Sequence, residues 1–451
     1  MKKNIPTLAI FITIMFLGLA LASCGGGPAS TPDEKANGAQ TENLSEQARS
    51  CIECHATETQ GIVADWDGSV HAAEAVSCID CHEVEPDSTM ALKNVDDHED
   101  LTVTVSMLVP PSVCEECHED QVAQFHASGH QRAGLQYEAK DAMQTLIHVH
   151  EGRNNPELSG ASDETGCMQC HGIRFELDET GHPTAETYPS AGIGNIYPNE
   201  EVGNCTVCHS RHSFDIAEAR KPEACGGCHL GPDHPDIEIY ENTKHGQIYD
   251  TEGEEWTWDR APDEWEPGDY RAPTCAVCHM SGIGNLESTH NVSQRLYWNL
   301  WATASSPRNS DDPMSGLTGN AEAGRAEMKQ VCDACHVSSH TESYFASGDK
   351  AVRLYNDEYW APVEAMRVEL ADAGLLKDNP WEDEFLILHY YIWHHDGRRA
   401  RQGAMMGAPD WAHWHGFFML QQKLNRATEI YNYRMDTSEI ETIGVASRPE
   451  E

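Results

Sequence analysis

The chain has 451 residues, 74 acidic and 30 basic side chains, and a formal net charge of −44. That charge excludes a nucleic-acid binder, because a phosphate backbone would be repelled along the whole surface. Aromatic residues make up 8% and the wide hydrophobic set 39%, a thin supply for the core of so long a chain, so something besides side chains fills part of the interior.

In chain order, residues 1–23 read as an export signal. Lys2 and Lys3 precede an apolar run from about Leu8 to Ala22 that is short for a membrane span. The run ends Leu21-Ala22-Ser23-Cys24-Gly25, a bacterial lipobox in which Cys24 is lipidated. The alternative is an ordinary signal with an incidental cysteine. The expected location is therefore outside the cytoplasm, on the periplasmic face or at the outer membrane, held to the membrane through lipid only. Without Lys2 and Lys3 the charge becomes 28 − 74 = −46, a surface that favours basic partners or simple solubility. Residues 24–48, rich in Gly, Ala, Ser and Thr, read as a flexible tether.

Sixteen of the 17 cysteines then fall into one repeated pattern, C-x-x-C-H. The copies are Cys51/Cys54/His55, Cys78/Cys81/His82, Cys114/Cys117/His118, Cys167/Cys170/His171, Cys205/Cys208/His209, Cys225/Cys228/His229, Cys275/Cys278/His279 and Cys332/Cys335/His336. This is the attachment signal of c-type haem: two thiols bond the ring and the next histidine ligates iron. A zinc knuckle, a redox dithiol or a disulfide would explain one copy, but not eight that all end in His. Eight covalent haems are expected, and they supply the missing core. The motif spacing is irregular, which excludes a solenoid of equal repeats. The fold expected over 49–345 is mainly α, with loops and short helices wrapped around haems and no strand pattern.

The 25 histidines leave 17 beyond the motifs, and most of these are expected to be distal iron ligands or pocket residues. His71, His130, His234, His245, His290 and His394, paired with His395, are the better candidates, while His98 and His182 look like surface residues. Residues 346–440 read as a helical bundle. One helix begins at Pro362, carries Val363, Met366 and Leu370 on one face, and stops at Gly374. A second runs from about Trp381 to Arg401, and a third starts near Asp410 and passes Tyr431. Residues 441–451 are a tail. Arg398, Arg399 and Arg401 form the densest basic cluster and suit haem propionates or an anionic substrate.

Several stretches are similar to the octahaem hydroxylamine oxidoreductase family of multihaem cytochromes c. They are Cys205-Thr-Val-Cys-His-Ser-Arg-His212, Cys225-Gly-Gly-Cys-His-Leu-Gly-Pro-Asp-His234, Lys244-His245-Gly246, Ala272-Pro-Thr-Cys-Ala-Val-Cys-His-Met280 with Thr289-His290, and Trp393-His-His-Asp-Gly-Arg-Arg-Ala-Arg401 onward to Trp414-His415-Gly416. The resemblance implies that the haem of Cys167, Cys170 and His171 is catalytic and lacks a distal protein ligand. It also implies that His212 delivers protons, that Tyr270 lines the pocket, that Arg211 holds a propionate or an anion, and that the chain forms a homotrimer. Hydroxylamine-oxidising members cross-link a neighbour's Tyr to that haem. Here Trp411 stands at the corresponding position, and Trp lacks the phenol oxygen. The resemblance then implies reduction of nitrite to hydroxylamine or ammonia, fed by a redox partner protein or quinol oxidoreductase. Hydroxylamine or hydrazine oxidation and a non-catalytic electron conduit are the alternatives.

Overall fold

A computed structural model describes residues 43–93, 98, 102–138, 167–262, 264–308 and 320–440. The leader, Cys24, nearly all of the tether, His148, His150 and the tail lie outside the described residues.

The fold is mainly α. We number the longer helices in chain order: α1 Glu46–Glu58, α2 Gln60–Asp67, α3 Glu119–His126, α4 Lys244–Glu252, α5 Ala321–Asp333 and α6 Ser338–Tyr355. Side-chain caps start them. Ser45 accepts from the Ala48 amide, Thr243 from Gly246 and Asn320 from Ala323, which satisfies donors that a first turn leaves open. Among the described residues, extended structure is limited to isolated bridges and a two-residue ladder pairing Trp298–Asn299 with Ser306–Pro307. Several haem motifs are themselves single helical turns, among them Cys78–His82, Cys167–His171 and Cys275–His279. Positions i, i+3 and i+4 share a face of such a turn, which is why C-x-x-C-H presents two thiols and an imidazole together. Capping residues nucleate these turns. The Ser77 amide and hydroxyl both donate to Asp80, and Thr274 accepts from Val277.

The C-terminal bundle is built from three long rods, each containing a π turn. Helix α6 continues through Asn356–Trp360 into α7, Ala361–Asp372. Rod α8 comprises Glu384–Tyr390, the π turn Tyr391–His395, and Asp396–Met406. Rod α9 comprises Pro409–Ala412, the π turn His413–Phe417, and Phe418–Thr437. The second helix therefore runs past Arg401 to Met406, where Gly407 closes it at φ +83°. The third has Pro409 in its first turn and Ala408, not Asp410, as its N-cap. Helix α6 crosses residue 345 without a break, so the haem-bearing segment and the bundle share a continuous rod.

Tyr355, Leu370, Phe385, Ile392, Leu420 and Ile430 form the buried centre of the bundle. Each large apolar side chain buried there contributes about 1.5–3 kcal/mol. The rods α8 and α9 cross closely: a Cβ on Gly416 would lie 2.5 Å from the Ala400 Cα, and one on Gly403 would lie 2.6 Å from the Ala412 amide nitrogen. This crossing fixes the α8 π turn, and with it His394 and Arg398, against the loop that follows the sixth motif. No helix among the described residues is long and apolar enough to cross a membrane.

Candidate haem centres and active site

Six of the motif histidines face a second histidine at nearly constant separation. The pairs are His55–His98 (6.2 Å between ring centroids), His82–His212 (6.4 Å), His118–His71 (6.3 Å), His209–His290 (6.4 Å), His229–His130 (6.1 Å) and His336–His245 (6.1 Å). Two nitrogen–metal bonds of about 2 Å each, plus the ring on either side, give a spacing of about 6 Å. The residues therefore fit iron held between two imidazoles. The members of each pair lie far apart in the sequence, so each pair closes a long loop around one haem.

Several proximal rings are oriented through Nδ1, which leaves Nε2 for metal. His55 Nδ1 meets Thr59 Oγ1 at 2.8 Å, His82 Nδ1 meets the Ser106 carbonyl at 2.8 Å, and His229 Nδ1 meets Asp236 Oδ2 at 3.0 Å. Burial works to lower the pKa of His229, but Asp236 outweighs it and the net shift is upward, which makes that ring a richer donor. Burial, with His229 beside it, pushes His130 down to about 4, and burial with His209 does the same to His290. Both rings stay neutral at physiological pH, as ligands must. Most of the motif thiols do not resemble a thiolate zinc or redox site, Cys205 beside Cys114 being shifted down. Burial pushes Cys81 up to about 11, and Cys208 and Cys278 up to about 12, the opposite of the lowering that activates cysteine.

The thiols also reveal which motifs are neighbours. Cys114 lies beside Cys205, Cys225 beside Cys275, and Cys228 beside Cys170. Cys51 lies within electrostatic reach of Cys78, Cys81 of Cys114, Cys208 of Cys225, and Cys278 of Cys332. Attachment sites thus adjoin in the order one, two, three, five, six, seven, eight, with the fourth branching from the sixth. The polypeptide order and the spatial order differ at the fourth motif.

Burial is uneven along this series. Among the described motif thiols, Cys54, Cys117 and Cys335 are exposed. Each is the second cysteine of its motif and stands on an acidic solvent face: Glu53 adjoins Cys54, Glu115 and Glu116 precede Cys117, and Asp333 lies two residues before Cys335. The second thiols of the first, third and eighth motifs therefore stand at the rim of the molecule, whereas Cys208, Cys225 and Cys278 are partly buried. Among the described residues, the cysteines, Cys54 and Cys117 included, form no disulfide.

Beside the branch at the fourth motif lies a cluster of polar side chains. Burial lowers the pKa of His171, as does His234, while Asp233 acts in the opposite direction. The Asp233 carboxylate has three nitrogen groups around it: His234 Nε2 at 3.6 Å from Oδ1, and His394 Nε2 at 3.8 Å and an Arg398 terminal nitrogen at 3.7 Å from Oδ2. The α8 π turn stacks His394 on Tyr390 (ring centroids 4.6 Å apart), and His394 Nδ1 meets the Tyr390 hydroxyl at 2.8 Å. Burial, then Arg398, depress His394 to about 2. Arg398 lies over the Trp301 ring (4.6 Å) and the Trp393 ring (5.3 Å), and donates to the carbonyls of Asp233 and Trp301. Trp301 is 45% exposed and packs on His234, so it forms the outer wall.

These positions change several sequence expectations. His212 faces His82, in the arrangement of an iron ligand, and not the fourth motif where it was expected as proton donor. Tyr270 is buried among Trp256, Trp258 and Trp265, away from the Asp233 cluster. His394 meets the Tyr390 hydroxyl through Nδ1 and turns Nε2 toward Asp233 at 3.8 Å, and it belongs to none of the six pairs. His234 lies 6.3 Å from His229, but His130 already faces that ring and His234 adjoins Asp233. His98, expected on the surface, faces His55. His71, His130, His245 and His290 do face motif histidines. Arg401 spends its donors on Gly397, Ala302, Ser305 and Trp393, a structural role. Arg399 binds the Pro232 carbonyl. Trp411 stacks on His415 at 4.7 Å beneath Arg399. Asp233 carries no signal in the sequence beyond directly preceding a candidate ligand.

A family described as "Seven times multi-haem cytochrome CxxCH" matches residues 74–377, a span that holds the second to eighth motifs. A curated Kuenenia stuttgartiensis protein named "Probable nitrite reductase-hydroxylamine oxidoreductase fusion protein" is 29% identical over 353 residues, 70% of this chain and 36% of that protein. The chain thus spans little more than a third of that relative. Among solved structures, a "Hypothetical multiheme protein" superposes with TM-score 0.72 at 24% identity, covering 91% of this chain and all of the other. A chain of the "Kuenenia stuttgartiensis reducing HAO-like protein complex Kustc0457/Kustc0458" superposes with TM-score 0.61 at 21% identity, covering 87% and 86%. At these identities the two structures establish the fold.

Proposed function

Because the chain belongs to the multi-haem cytochrome CxxCH family, and so carries covalently bound c-type haems, we propose that it reduces nitrite, and hydroxylamine, at the haem held by Cys167, Cys170 and His171. The observation that carries this reading is the Asp233 carboxylate with His234, His394 and Arg398 around it, beside His171. The names of the curated relative and of the reducing complex favour the same chemistry. Nitrite takes up six electrons and eight protons to give ammonium and two waters. Bound haem supplies an electrophilic iron for the nitrogen and passes the electrons. The Asp233 carboxylate and the His234 imidazole would pass protons to the oxygens that leave as water, and general acid–base groups of this kind contribute about 10²–10⁴-fold. His394 faces Asp233 with Nε2 and meets the Tyr390 hydroxyl with Nδ1. Trp411, at the position of the cross-linking Tyr in the family resemblance, leaves the haem with its ordinary attachments, which favours adding electrons over withdrawing them.

The other seven motifs, one haem each, relay electrons in the spatial order of their attachment sites from a redox partner protein or quinol oxidoreductase. The exposed rim at Cys54, Cys117 and Cys335 supports entry of those electrons from outside. On the same reading the chain is exported, lipid-anchored at Cys24, and assembled as a homotrimer through the face that exposes Trp414 and Phe418.

The test is turnover by the haem-loaded protein. Reduced viologen dye with nitrite is expected to yield ammonium, faster than an oxidised dye draws electrons from hydroxylamine. Brisk hydroxylamine oxidation with negligible nitrite loss overturns the direction, and no turnover of either leaves an electron conduit in its place.

A further inference from the structure

We propose that Arg398 selects the charge of the substrate, holding the nitrite anion through its Nε–H while the neutral substrate hydroxylamine enters without it. This deepens the nitrite-reductase reading and rests on it. The three arginines of α8 differ in what remains free. Arg401 is fully buried and directs its guanidinium at protein oxygens. Arg399 is partly exposed, with Nε on a carbonyl. Arg398 is 6% exposed, yet its Nε has no hydrogen-bond partner, and neither has the buried His234 Nδ1 in the same cluster. A buried N–H left unpaired costs about 1–3 kcal/mol, so a fold that keeps two such groups beside one carboxylate implies a third party that satisfies them.

The chemistry of that party is set by its neighbours. Trp301 and Trp393 flank the guanidinium, and its terminal nitrogens serve the Asp233 and Trp301 carbonyls and approach the Asp233 carboxylate. The guanidinium is thereby fixed in plane, with Nε–H left as the donor. A fixed planar donor suits a small delocalised oxyanion. Asp233 supplies the opposing charge that keeps the cluster from binding anions indiscriminately. A haem propionate is the other oxyanion with this chemistry, and the experiment separates the two.

The experiment uses holoprotein of wild type, Arg398→Gln and Arg398→Lys, checked for haem content by the pyridine haemochrome. It measures kcat/KM for nitrite and for hydroxylamine with reduced viologen, and the nitrite Kd from the Soret change of non-turning-over protein. For Arg398→Gln the nitrite kcat/KM is expected to fall about 10–100-fold, largely through KM, and the nitrite-to-hydroxylamine ratio is expected to fall at least about tenfold. Arg398→Lys keeps the charge without the fork and is expected to fall in between. It carries the test if the Gln variant does not mature. Equal losses on both substrates, or an unchanged nitrite Kd, overturn the inference and assign Arg398 to a propionate or to packing. Weakened nitrite binding in a protein whose wild type does not turn nitrite over sustains the inference while the reductase reading falls. A wild type that shows no nitrite-induced Soret change overturns both.

Discussion

Asp233 has three nitrogen groups at 3.6–3.8 Å, just beyond hydrogen-bond length. Replacing it with Asn keeps its shape and removes its charge and its capacity to relay a proton. Nitrite turnover should then fall about 10²–10⁴-fold with haem content intact, as measured by ammonium formation in the holoprotein. His212→Ala should act differently. Because His212 faces His82 at 6.4 Å, its loss should turn one low-spin haem high-spin in the EPR spectrum, with no specific loss of proton delivery. Nothing in the sequence separates these two roles. Both residues sit just after a motif histidine, and their roles depend on which distant ring stands opposite. Asp233 is harder still to find, since one carboxylate among 74 acidic residues carries no pattern.

The rods of the C-terminal bundle are legible because helix periodicity is local: Val363, Met366 and Leu370 predict their own buried face. The π turns are not, because one inserted residue leaves the pattern nearly unchanged while rotating the rest of the helix. Asp383 illustrates how the bundle is held. It caps α8 through the Phe385 and Leu386 amides, accepts from the Lys377 amide, and takes two bonds from buried Arg434 at 2.9 and 3.0 Å. Asp383→Ala strands a buried guanidinium, so thermal melts should show a loss of about 3–5 kcal/mol. Rod α8 also sets an acid limit. Burial lowers His389, takes His395 to about 4 and, with Arg398, takes His394 to about 2, against an ordinary value of about 6.5 for the unfolded chain. Below that ordinary value the unfolded state binds protons that the folded rod does not. Stability should therefore be full above about pH 6.5 and decline as pH falls through the folded values. Melts followed by circular dichroism at pH 7.5 and pH 5 should show the lower midpoint at pH 5.

At the scale of the whole molecule, the motifs show from sequence alone where each haem is attached, because both thiols and the proximal His lie within five residues. They cannot show the spatial order, which depends on loops that bring Cys228 to Cys170 and Cys225 to Cys275. The same loops explain why His98 reads as a surface residue. Its acidic neighbours suggest a solvated segment, and only tertiary closure sets it against His55. If each motif is loaded, mature protein should carry eight covalent haems by intact mass, and a lower number in fully matured protein would contradict that count. The proposed chemistry requires one iron, at the fourth motif, that is open to nitrite, while the six His–His pairs close six of the seven relay irons. Low-temperature EPR of the oxidised holoprotein, with and without nitrite, distinguishes open from closed iron. One high-spin ferric signal that nitrite converts is expected, with the paired haems unchanged. A wholly low-spin spectrum that does not respond to nitrite would contradict it.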